Sequence, residues 1–308
     1  MQSAIDWNIT AEEYVRLYSK VRRSNLLQSL EYGMVSARRN NQRPRYGRIS
    51  IDGEVAGIFQ ILEASVFGQA FHALILDRGP LWLEGFDTKE NNRFFFCEFN
   101  KQFPRRPGRS RRIIPEAVTM PDIPGYKRLD RPGYKTIWLD LGKPEKDLRA
   151  GLKQKWRSIL NKSERQNVKI EWDNKGILWP ELRAAYVADR KNRGYSGPAP
   201  EFLDALVREF SRSKNLQIGR ALLNSNYCSG MLIFRHGRSA TWQVGWTSQE
   251  GRNSGAGYSL LWQACLNLKD RGTDDFDLGG VNDTDASGVR HFKSGLGGQE
   301  ICLAGHYI

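Results

Sequence analysis

The sequence predicts a mixed α/β fold, with mixed sheets of the α+β type, in two domains. The chain has 308 residues, a length natural for two domains. Stretches with the two-residue alternation of strands are interspersed with stretches of helical periodicity in both halves. Residues 50–57 and 223–230 each read as a strand, a tight turn, and a small residue followed by Gly at the start of the next strand. This repeat indicates a duplicated domain.

The first half alternates strand and helix patterns and ends in a turn-rich segment. Asp52-Gly53 lies between two alternating runs, which is a strong hairpin signal. The run 105–112 places five Arg around Pro and Gly and is interpreted as an exposed loop. Residues 121–132 are rich in turn formers and mark the predicted domain boundary. The predicted elements are a helix over 10–27, strands over 46–51, 55–62 and 71–77, a helix over 91–103 and a strand over 111–118.

In the second half, helical periodicity is clearest over residues 144–167. Leu148, Leu152, Trp156 and Ile159 recur at spacings of three and four and form one apolar face. The opposite face is basic and carries Lys153, Lys155, Arg157, Lys162 and Arg165. The other predicted elements are strands over 135–141, 167–171, 217–224, 228–235, 240–247 and 275–278, and helices over 178–192, 200–211 and 257–270.

The charge of the chain is strongly positive. Lys and Arg number 47 against 34 Asp and Glu, a formal net charge of +13. Such an excess attracts anions such as nucleic acid, nucleotide-linked sugars, coenzyme A or anionic lipid, and it also serves solubility. The run 105–112 and the basic face over 153–169 are candidate contacts for an RNA backbone. The alternative interpretation of both is an ordinary solvated surface.

Signals for export, membrane spanning and metal binding are not found in the sequence. The first ten residues lack a signal-peptide pattern, and no run of about 18 apolar residues occurs. Cys97, Cys228, Cys265 and Cys302 are far apart, form no CxxC pair, and are expected to be buried thiols in a reducing compartment. Because only four His accompany them, no metal site is expected. These features predict a cytoplasmic protein.

A glycine-containing segment precedes the predicted helix over 257–270. Small residues at Gly255 and Gly257 allow backbone N–H groups to approach an anion, and a helix N-terminus adds partial positive charge. Arg252 can pair with a phosphate. The pattern resembles the pyrophosphate loop of the GCN5-related N-acetyltransferases (GNAT), which holds coenzyme A. The alternative interpretation is an ordinary glycine turn.

The C-terminal segment carries the more specific pattern. Phe276-Asp-Leu-Gly-Gly280 is followed by Phe292-Lys-Ser-Gly-Leu-Gly-Gly298. These motifs resemble the Fem family of tRNA-dependent aminoacyltransferases, known for building peptidoglycan cross-bridges, in which a strand end is followed by Phe-Lys-x-Gly-Phe-Gly-Gly. The resemblance spans nearly the whole chain in the same order. Further matching segments are Gln28-Ser29, Tyr32-Gly33, Arg78-Gly79-Pro80, Lys155-Trp156-Arg157, Ser163-Glu164-Arg165 and Gly245 before Ser248.

The resemblance implies a fold of two tandem GNAT-like domains, in which the last strands return to the first domain. The expected domains are therefore 1–130 with 294–308, and 131–293, the second carrying the active site. The family's long coiled-coil arm is absent, because no sufficient heptad run occurs.

The family's Phe-Lys pair falls on Phe292 and Lys293. The resemblance places Lys293 at the acceptor site, where it assists reaction of the aminoacyl ester. A fixed ammonium there would stabilise the negative charge that grows on oxygen in the transition state. Phe292 is a candidate for substrate binding or for core packing. Direct transfer needs no covalent intermediate, and Asp277 or Asp283 is a candidate for receiving the amine proton.

Other acceptor-site residues carry over with departures. The family's diphosphate-binding Arg best matches Arg193, with Arg190 as an alternative and Tyr195 beside it. A first-domain Lys of the family is Ser36 here, and Arg38 nearby is a possible substitute. A family Tyr is Trp242, which offers an N–H and a ring face but no hydroxyl. These changes bring the usual peptidoglycan acceptor into question rather than the fold.

The expected activity is transfer of an amino acid from aminoacyl-tRNA to an amine of a peptidoglycan precursor or another small, anionic or nucleotide-linked metabolite. With aminoacyl-tRNA as the donor, no bound cofactor is expected. In one alternative, a coenzyme A thioester bound at residues 252–257 is the acyl donor. In a second alternative, the chain is a duplicated-domain binding module without catalysis. The oligomeric state is left open.

Overall fold

The computed structural model describes residues 3–68, 70–281 and 287–308. The chain divides into two compact units, Met1–Lys135 with Ile301–Ile308, and Thr136–Glu300. The C-terminal return to the first unit starts later than the expected residue 294. Residues up to 300 stay with the second unit because Gly295 packs against Trp156, whereas Gly133 packs against the backbone of Leu303 in the first unit.

The first unit contains a six-stranded sheet in which β1 to β4 are antiparallel neighbours and β6 pairs with β4 in parallel. The short strand β5 pairs with β3. Its elements are β1 (Ser3–Asp6), α1 (Ala11–Tyr18), α2 (Leu30–Arg39), β2 (Arg43–Ile51), β3 (Glu54–Val66), β4 (Phe71–Asp77), β5 (Leu81–Trp82), α3 (Lys89–Gln102) and β6 (Arg109–Ile114).

Local sequence accounts for the main elements of this unit. Asp52 and Gly53 both have positive φ, which matches the hairpin that joins Ile51 to Glu54. Phe95 and Phe99 of α3 are fully buried against the sheet and form the centre of its core. The aromatic periodicity of α3 therefore directs one helix face to the sheet.

Two predictions for the first unit need correction. The helix expected over 10–27 ends at Tyr18, and a separate helix, α2, follows with Ser29 as its N-cap. The run 105–112 is not wholly a loop, because β6 begins at Arg109. Arg111 fits inside the unit because its guanidinium donates to the carbonyls of Phe103 and Gly125.

The second unit contains a seven-stranded sheet in the order β13, β7, β12, β11, β10, β9, β8. Strands β8 to β11 are antiparallel neighbours, and β12 pairs with β11 in parallel. Its elements are β7 (Lys135–Asp140), α4 (Glu145–Ala150), α5 (Gln154–Glu164), β8 (Val168–Asp173), α6 (Trp179–Arg193), α7 (Pro200–Arg212), β9 (Leu216–Leu223), β10 (Asn226–His236), β11 (Ser239–Thr247), α8 (Gln249–Ser254), α9 (Ala256–Asp270), β12 (Asp275–Asp277), α10 (Ser287–Ser294) and β13 (Gln299–Cys302).

Helices α5 and α9 cover one face of this sheet. Leu260, Leu261 and Leu268 of α9 are fully buried, as is Leu160 of α5. The single helix predicted over 144–167 is two helices. The chain turns at Lys153, whose backbone N–H donates to the carbonyl of Gly295 instead of continuing a helix.

Two general features of the described residues bear on the sequence predictions. No described helix combines the length and apolar character needed to cross a membrane. All four Cys carry free thiols, but only Cys228 and Cys265 are buried. Cys97 is half-buried and Cys302 is exposed, so the expectation of four buried thiols was wrong for these two.

Candidate active site

The candidate site lies at an open edge of the second sheet. Strands β11 and β12 pair in parallel only over Ser239–Thr241 with Asp275–Asp277. Strand β11 then continues to Thr247 alongside β10, while the chain after Asp277 turns away. Beyond Thr241, no described strand pairs with β11 on its β12 side. The resulting opening receives side chains from α10.

Lys293 is the charged residue of α10 that enters this opening. Its side chain is buried, with the residue only 7% exposed. The ammonium Nζ donates a hydrogen bond to the carbonyl of Gly280 at 2.9 Å and lies 4.9 Å from the centre of the Trp242 ring. Burial lowers the pKa of Lys293 from 10.5 to about 8, although the nearby Asp277 carboxylate favours the charged form. At neutral pH the group is therefore mainly a buried cation.

Several aromatic rings pack together beside the Lys293 side chain. The Phe292 ring packs edge to face on Tyr258 at 4.7 Å and on Trp242 at 6.1 Å between ring centres. Trp156 stacks on Phe292, and its indole N–H donates to the Phe292 carbonyl at 2.9 Å. Trp242 lies over Gly245, where any Cβ would overlap its ring. The rings exclude water from one side of the ammonium, which strengthens its electrostatic effect.

Asp277 and the two glycines after it fix the carbonyl that holds Lys293. The Oδ1 atom of Asp277 accepts a bond from the Thr136 hydroxyl and another from the Gly279 backbone N–H at 2.8 Å. Gly279 has φ +74°, and a Cβ there would lie 2.5 Å from the carbonyl oxygen of Trp242. Asp277 is thus a buried positioning group that anchors the turn. Asp283, the other predicted proton acceptor, lies outside the described residues.

The basic face of α5 starts beside Lys293. Lys153 Nζ lies 3.4 Å from the Ser294 hydroxyl, and Trp156 joins the helix to α10 as described above. From this point Lys155, Arg157, Lys162 and Arg165 all lie on the exposed side of the helix. The predicted amphipathic pattern therefore produces a cationic track that ends at the candidate site.

The segment from Arg252 to Gly257 is helical and packed, in contrast to the expected phosphate loop. It contains the end of α8, a left-handed residue at Gly255, and the start of α9. A Cβ at Gly255 would lie 2.9 Å from the Ile159 side chain, so this glycine serves close packing on α5. The backbone N–H groups of Arg252, Gly255 and Ala256 already donate, to the Ser248 carbonyl, the Arg252 carbonyl and the Ser254 hydroxyl. Arg252 itself is exposed.

The other predicted acceptor residues are not joined to Lys293 by any described contact. Arg193 ends α6, is half exposed, and pairs with Asp189 at 2.9 Å. The Tyr195 ring lies 6.4 Å from that of Tyr186, and burial raises its pKa to about 12. Arg38 lies on the exposed side of α2 in the first unit.

Three contributors to the site were not identified from the sequence. Trp156 was assigned to an apolar helix face and to a matching segment but not to the site. Tyr258 was not singled out, and Gly280 was noted only as part of a motif. The helical spacing of Val289, Phe292, Lys293 and Leu296 could have indicated α10, which was not among the predicted elements. No signal in the sequence brings Tyr258 to Phe292.

Comparison with known proteins shows which domain type this arrangement belongs to. Residues 146–294 match a family model described as an acetyltransferase (GNAT) domain. The second unit is a GNAT-like domain. The first unit repeats its pattern of four antiparallel strands, a helix and a parallel fifth strand. The predicted class, two tandem GNAT-like domains, is confirmed, and the family match supports the predicted acyltransferase class.

Solved structures resemble the whole chain at low sequence identity. A crystal structure of FemX aligns with a TM-score of 0.76 and 15% identity, covering 100% of this chain and 96% of that one. A conserved protein of unknown function from Bacteroides thetaiotaomicron aligns at 0.60, with 14% identity and 97% of both chains covered. The C-terminal domain of a putative lysylphosphatidylglycerol synthetase from Agrobacterium fabrum aligns at 0.52, with 12% identity and coverage of 97% and 92%. No curated protein matched the sequence.

Proposed function

We propose that this protein is an aminoacyltransferase that moves an amino acid from aminoacyl-tRNA to an amine. The observation that carries the proposal is the buried Lys293 ammonium at the open edge of the second GNAT-like domain. The Fem-like resemblance of the Phe292-Lys293 motif points to the same group.

The chemistry needs a cation at this position. The acceptor amine attacks the ester carbonyl, an N–C bond forms, and the C–O bond to the tRNA ribose breaks. The amine proton leaves with the released ribose hydroxyl, so the proton balance closes without a covalent enzyme intermediate. Negative charge develops on the carbonyl oxygen in the transition state, and the Lys293 ammonium stabilises that charge at low local polarity.

Two observations favour a tRNA-linked donor over coenzyme A. The basic side of α5 begins beside Lys293 and offers cations at intervals along an RNA backbone. In the segment from Arg252 to Gly257, the N–H groups of Arg252, Gly255 and Ala256 already donate to nearby oxygens, which leaves fewer to hold a pyrophosphate.

The acceptor we propose is an amine on a peptidoglycan precursor or a related anionic metabolite. Arg193, Tyr195 and Arg38 are the candidate acceptor-binding residues, and Trp242 with Phe292 would form the apolar side of the reaction site. Trp242 in place of the family's Tyr removes a hydroxyl, which favours an acceptor that differs from the usual one. A tRNA donor implies a cytoplasmic location.

The test is a transfer assay with a mixture of charged tRNAs and a panel of amine acceptors. The wild-type chain should consume the ester and label an amine. Lys293→Met should abolish this, while Lys269→Met should not. Lys269 is a matched control because its ammonium also donates to a backbone carbonyl, that of Leu141, at 2.9 Å, but at the far end of α9. Absence of amine-dependent ester consumption by the wild-type chain with every charged tRNA would refute the proposal.

The match to an acetyltransferase model also favours a second candidate, acyl-CoA-dependent N-acylation. Calorimetry with coenzyme A distinguishes the two donors. Binding that is lost in Arg252→Ala would favour the thioester donor, and no heat of binding would exclude it. A non-catalytic binding module is tested by the same variants: its cellular effect would survive Lys293→Ala.

A further inference from the structure

The hairpin between β3 and β4 ends in an exposed apolar tip. Val66, Phe67 and Phe71 are 55%, 83% and 59% exposed. The two Phe rings meet edge to face, with ring centres 6.3 Å apart. Isolated exposed apolar residues are common, but three large ones at one protruding tip form a patch that indicates a contact surface.

Arginines contact the same tip. Arg106 donates from Nη1 to the carbonyl of Ala70 at 3.2 Å, and the side chain of Arg109 donates to His72 Nδ1 at 3.2 Å. His72 directly follows Phe71 on β4, which pairs in parallel with β6. The apolar tip and the arginine-rich run are therefore one continuous surface of the first unit.

This arginine-rich run surrounds a cavity of about 490 Å³. The cavity is lined by Arg105, Arg106, Arg109, Ser110, Arg111 and Ile308. Arg109 donates to His72 and to the Pro104 carbonyl, and Arg111 to Asn100 and two backbone carbonyls, all neutral acceptors. Burial, together with neighbouring guanidinium groups, lowers the pKa of both arginines. Because the hydrogen bonds of Arg109 and Arg111 named above go to neutral groups, those bonds do not neutralise the positive charge at the cavity.

We propose that the apolar tip and the arginine cavity together dock the protein on an anionic lipid bilayer. Val66, Phe67 and Phe71 would enter the interfacial layer, while Arg105, Arg106 and Arg109 contact lipid phosphates. The combination fits a bilayer because apolar side chains can enter the interfacial layer while neighbouring arginines pair with the phosphates at its surface. An RNA surface would use the guanidinium groups and the ring faces, but it gives no role to Val66. The proposal does not depend on the aminoacyl-transfer activity.

The experiment is sedimentation of the full chain with vesicles. Vesicles of phosphatidylcholine alone are compared with vesicles that also contain phosphatidylglycerol, at low and high salt. Strong binding is expected only with phosphatidylglycerol and should weaken as salt rises. Equal partitioning to both vesicle types, or none to either, would overturn the proposal.

Variants divide the surface into its two parts. Arg105→Gln with Arg106→Gln should lower the partition coefficient about 25-fold, since each arginine near an anionic surface contributes about fivefold. Phe67→Ser with Phe71→Ser should lower it about tenfold by removing two rings from the interface. Ser110→Glu places a negative charge at the cavity from an exposed position and should weaken binding without removing any packed group.

Matched controls lie on the second unit. Ile177→Ser removes an equally exposed apolar residue, and Lys175→Gln with Arg208→Gln removes two exposed charges. Both should keep wild-type vesicle binding, and loss of binding in either would overturn the localised surface. Filter binding with uncharged tRNA gives the competing outcome. If the tip and cavity variants weaken tRNA binding but leave vesicle binding unchanged, the surface is an RNA surface and the lipid proposal is wrong.

Discussion

The two GNAT-like sheets differ at the edge between the fourth antiparallel strand and the strand that follows the helix. In the first unit, β4 and β6 pair over six residues, from His72 with Arg109 to Asp77 with Ile114. In the second unit, β11 and β12 pair over only three residues. The same strand order thus produces a closed edge in one unit and an open edge in the other.

Each edge holds a buried cation, and the partners of these cations differ. Arg78, directly after β4, is 3% exposed and pairs with Glu116, with Nε 2.6 Å from Oε2. Lys293 contacts a backbone carbonyl and an aromatic ring, with Asp277 acting only through its field. Arg78 is paired directly with a carboxylate, whereas Lys293 is held by a carbonyl and an aromatic ring. Under the proposed function, the charge of Lys293 is the one that the substrate meets.

The largest expected change in stability comes from a variant that breaks the Arg78–Glu116 pair. Arg78→Met should lower the free energy of unfolding by about 3 kcal/mol or more, because Glu116 is left mostly buried without its partner. Urea denaturation measures this change. Arg238→Met removes one member of a pair with Asp274 that is accessible to solvent on both sides, and should cost less than about 1 kcal/mol. Equal costs for the two variants would show that the first edge is not held by its ion pair.

At the second edge, removal of the cation should lower activity and raise stability. Lys293→Met should lower kcat/KM at least about 100-fold, equivalent to about 3 kcal/mol of transition-state stabilisation. The same variant should raise the free energy of unfolding by about 1–3 kcal/mol, since a buried lysine with a lowered pKa opposes folding at neutral pH. Steady-state kinetics and denaturation of one preparation give both values. A destabilised variant would mean that Lys293 is structural like Arg78.

A substitution in the turn beside the open edge should have an intermediate effect on stability. Gly279→Ala adds a Cβ that would lie 2.5 Å from the Trp242 carbonyl oxygen and forces a left-handed alanine, and should cost about 2–3 kcal/mol of stability. Gly53→Ala in the first unit has the same type of φ, +85°, but meets no atom within 4 Å. It should cost only about 1 kcal/mol. Thermal unfolding of the two variants isolates the cost of the contact with Trp242.

The smallest expected effect is the change in kcat with pH as Lys293 loses its proton. Because its pKa is about 8, its charged fraction at pH 9 is about one-tenth, and kcat should fall by a similar factor. Lys293→Arg should remove this alkaline fall. The folded chain binds fewer protons than the unfolded chain between pH 8 and 10.5, so stability should rise across this window in the wild type and not in Lys293→Met. A wild-type rate that stays constant to pH 10 would contradict the cationic role.

Strand patterns were predictable because they depend on neighbouring residues. The alternation over 71–77 predicted β4 with its observed bounds, and Asp52-Gly53 predicted the hairpin correctly. Strand β6 was harder to predict because its arginines resemble a loop in sequence. A buried Arg111 is acceptable because Asn100 and the carbonyls of Phe103 and Gly125, none of them a sequence neighbour, accept its hydrogen bonds.

The candidate site was only partly predictable because its surroundings are also supplied by residues that are not neighbours in sequence. The motif around Phe292-Lys293 identified the cation, and its burial follows from residues far apart in sequence, such as Trp156 and Trp242. The Arg252–Gly257 segment shows the opposite case. Its glycines predicted a phosphate loop, which stays a prediction, and the close packing of Gly255 on α5 was not foreseen.

The return of residues 301–308 to the first unit has a consequence for biosynthesis. Lys127 and Ile308 exchange two backbone hydrogen bonds, and Tyr307 pairs with Ile113 of β6. Ribosomal synthesis delivers the entire second unit before these residues emerge. The first unit therefore cannot complete its fold until residues 301–308 have followed the second unit out of the ribosome. A chain truncated before residue 301 would keep Lys293 in its second unit, while its first unit would lack these backbone hydrogen bonds.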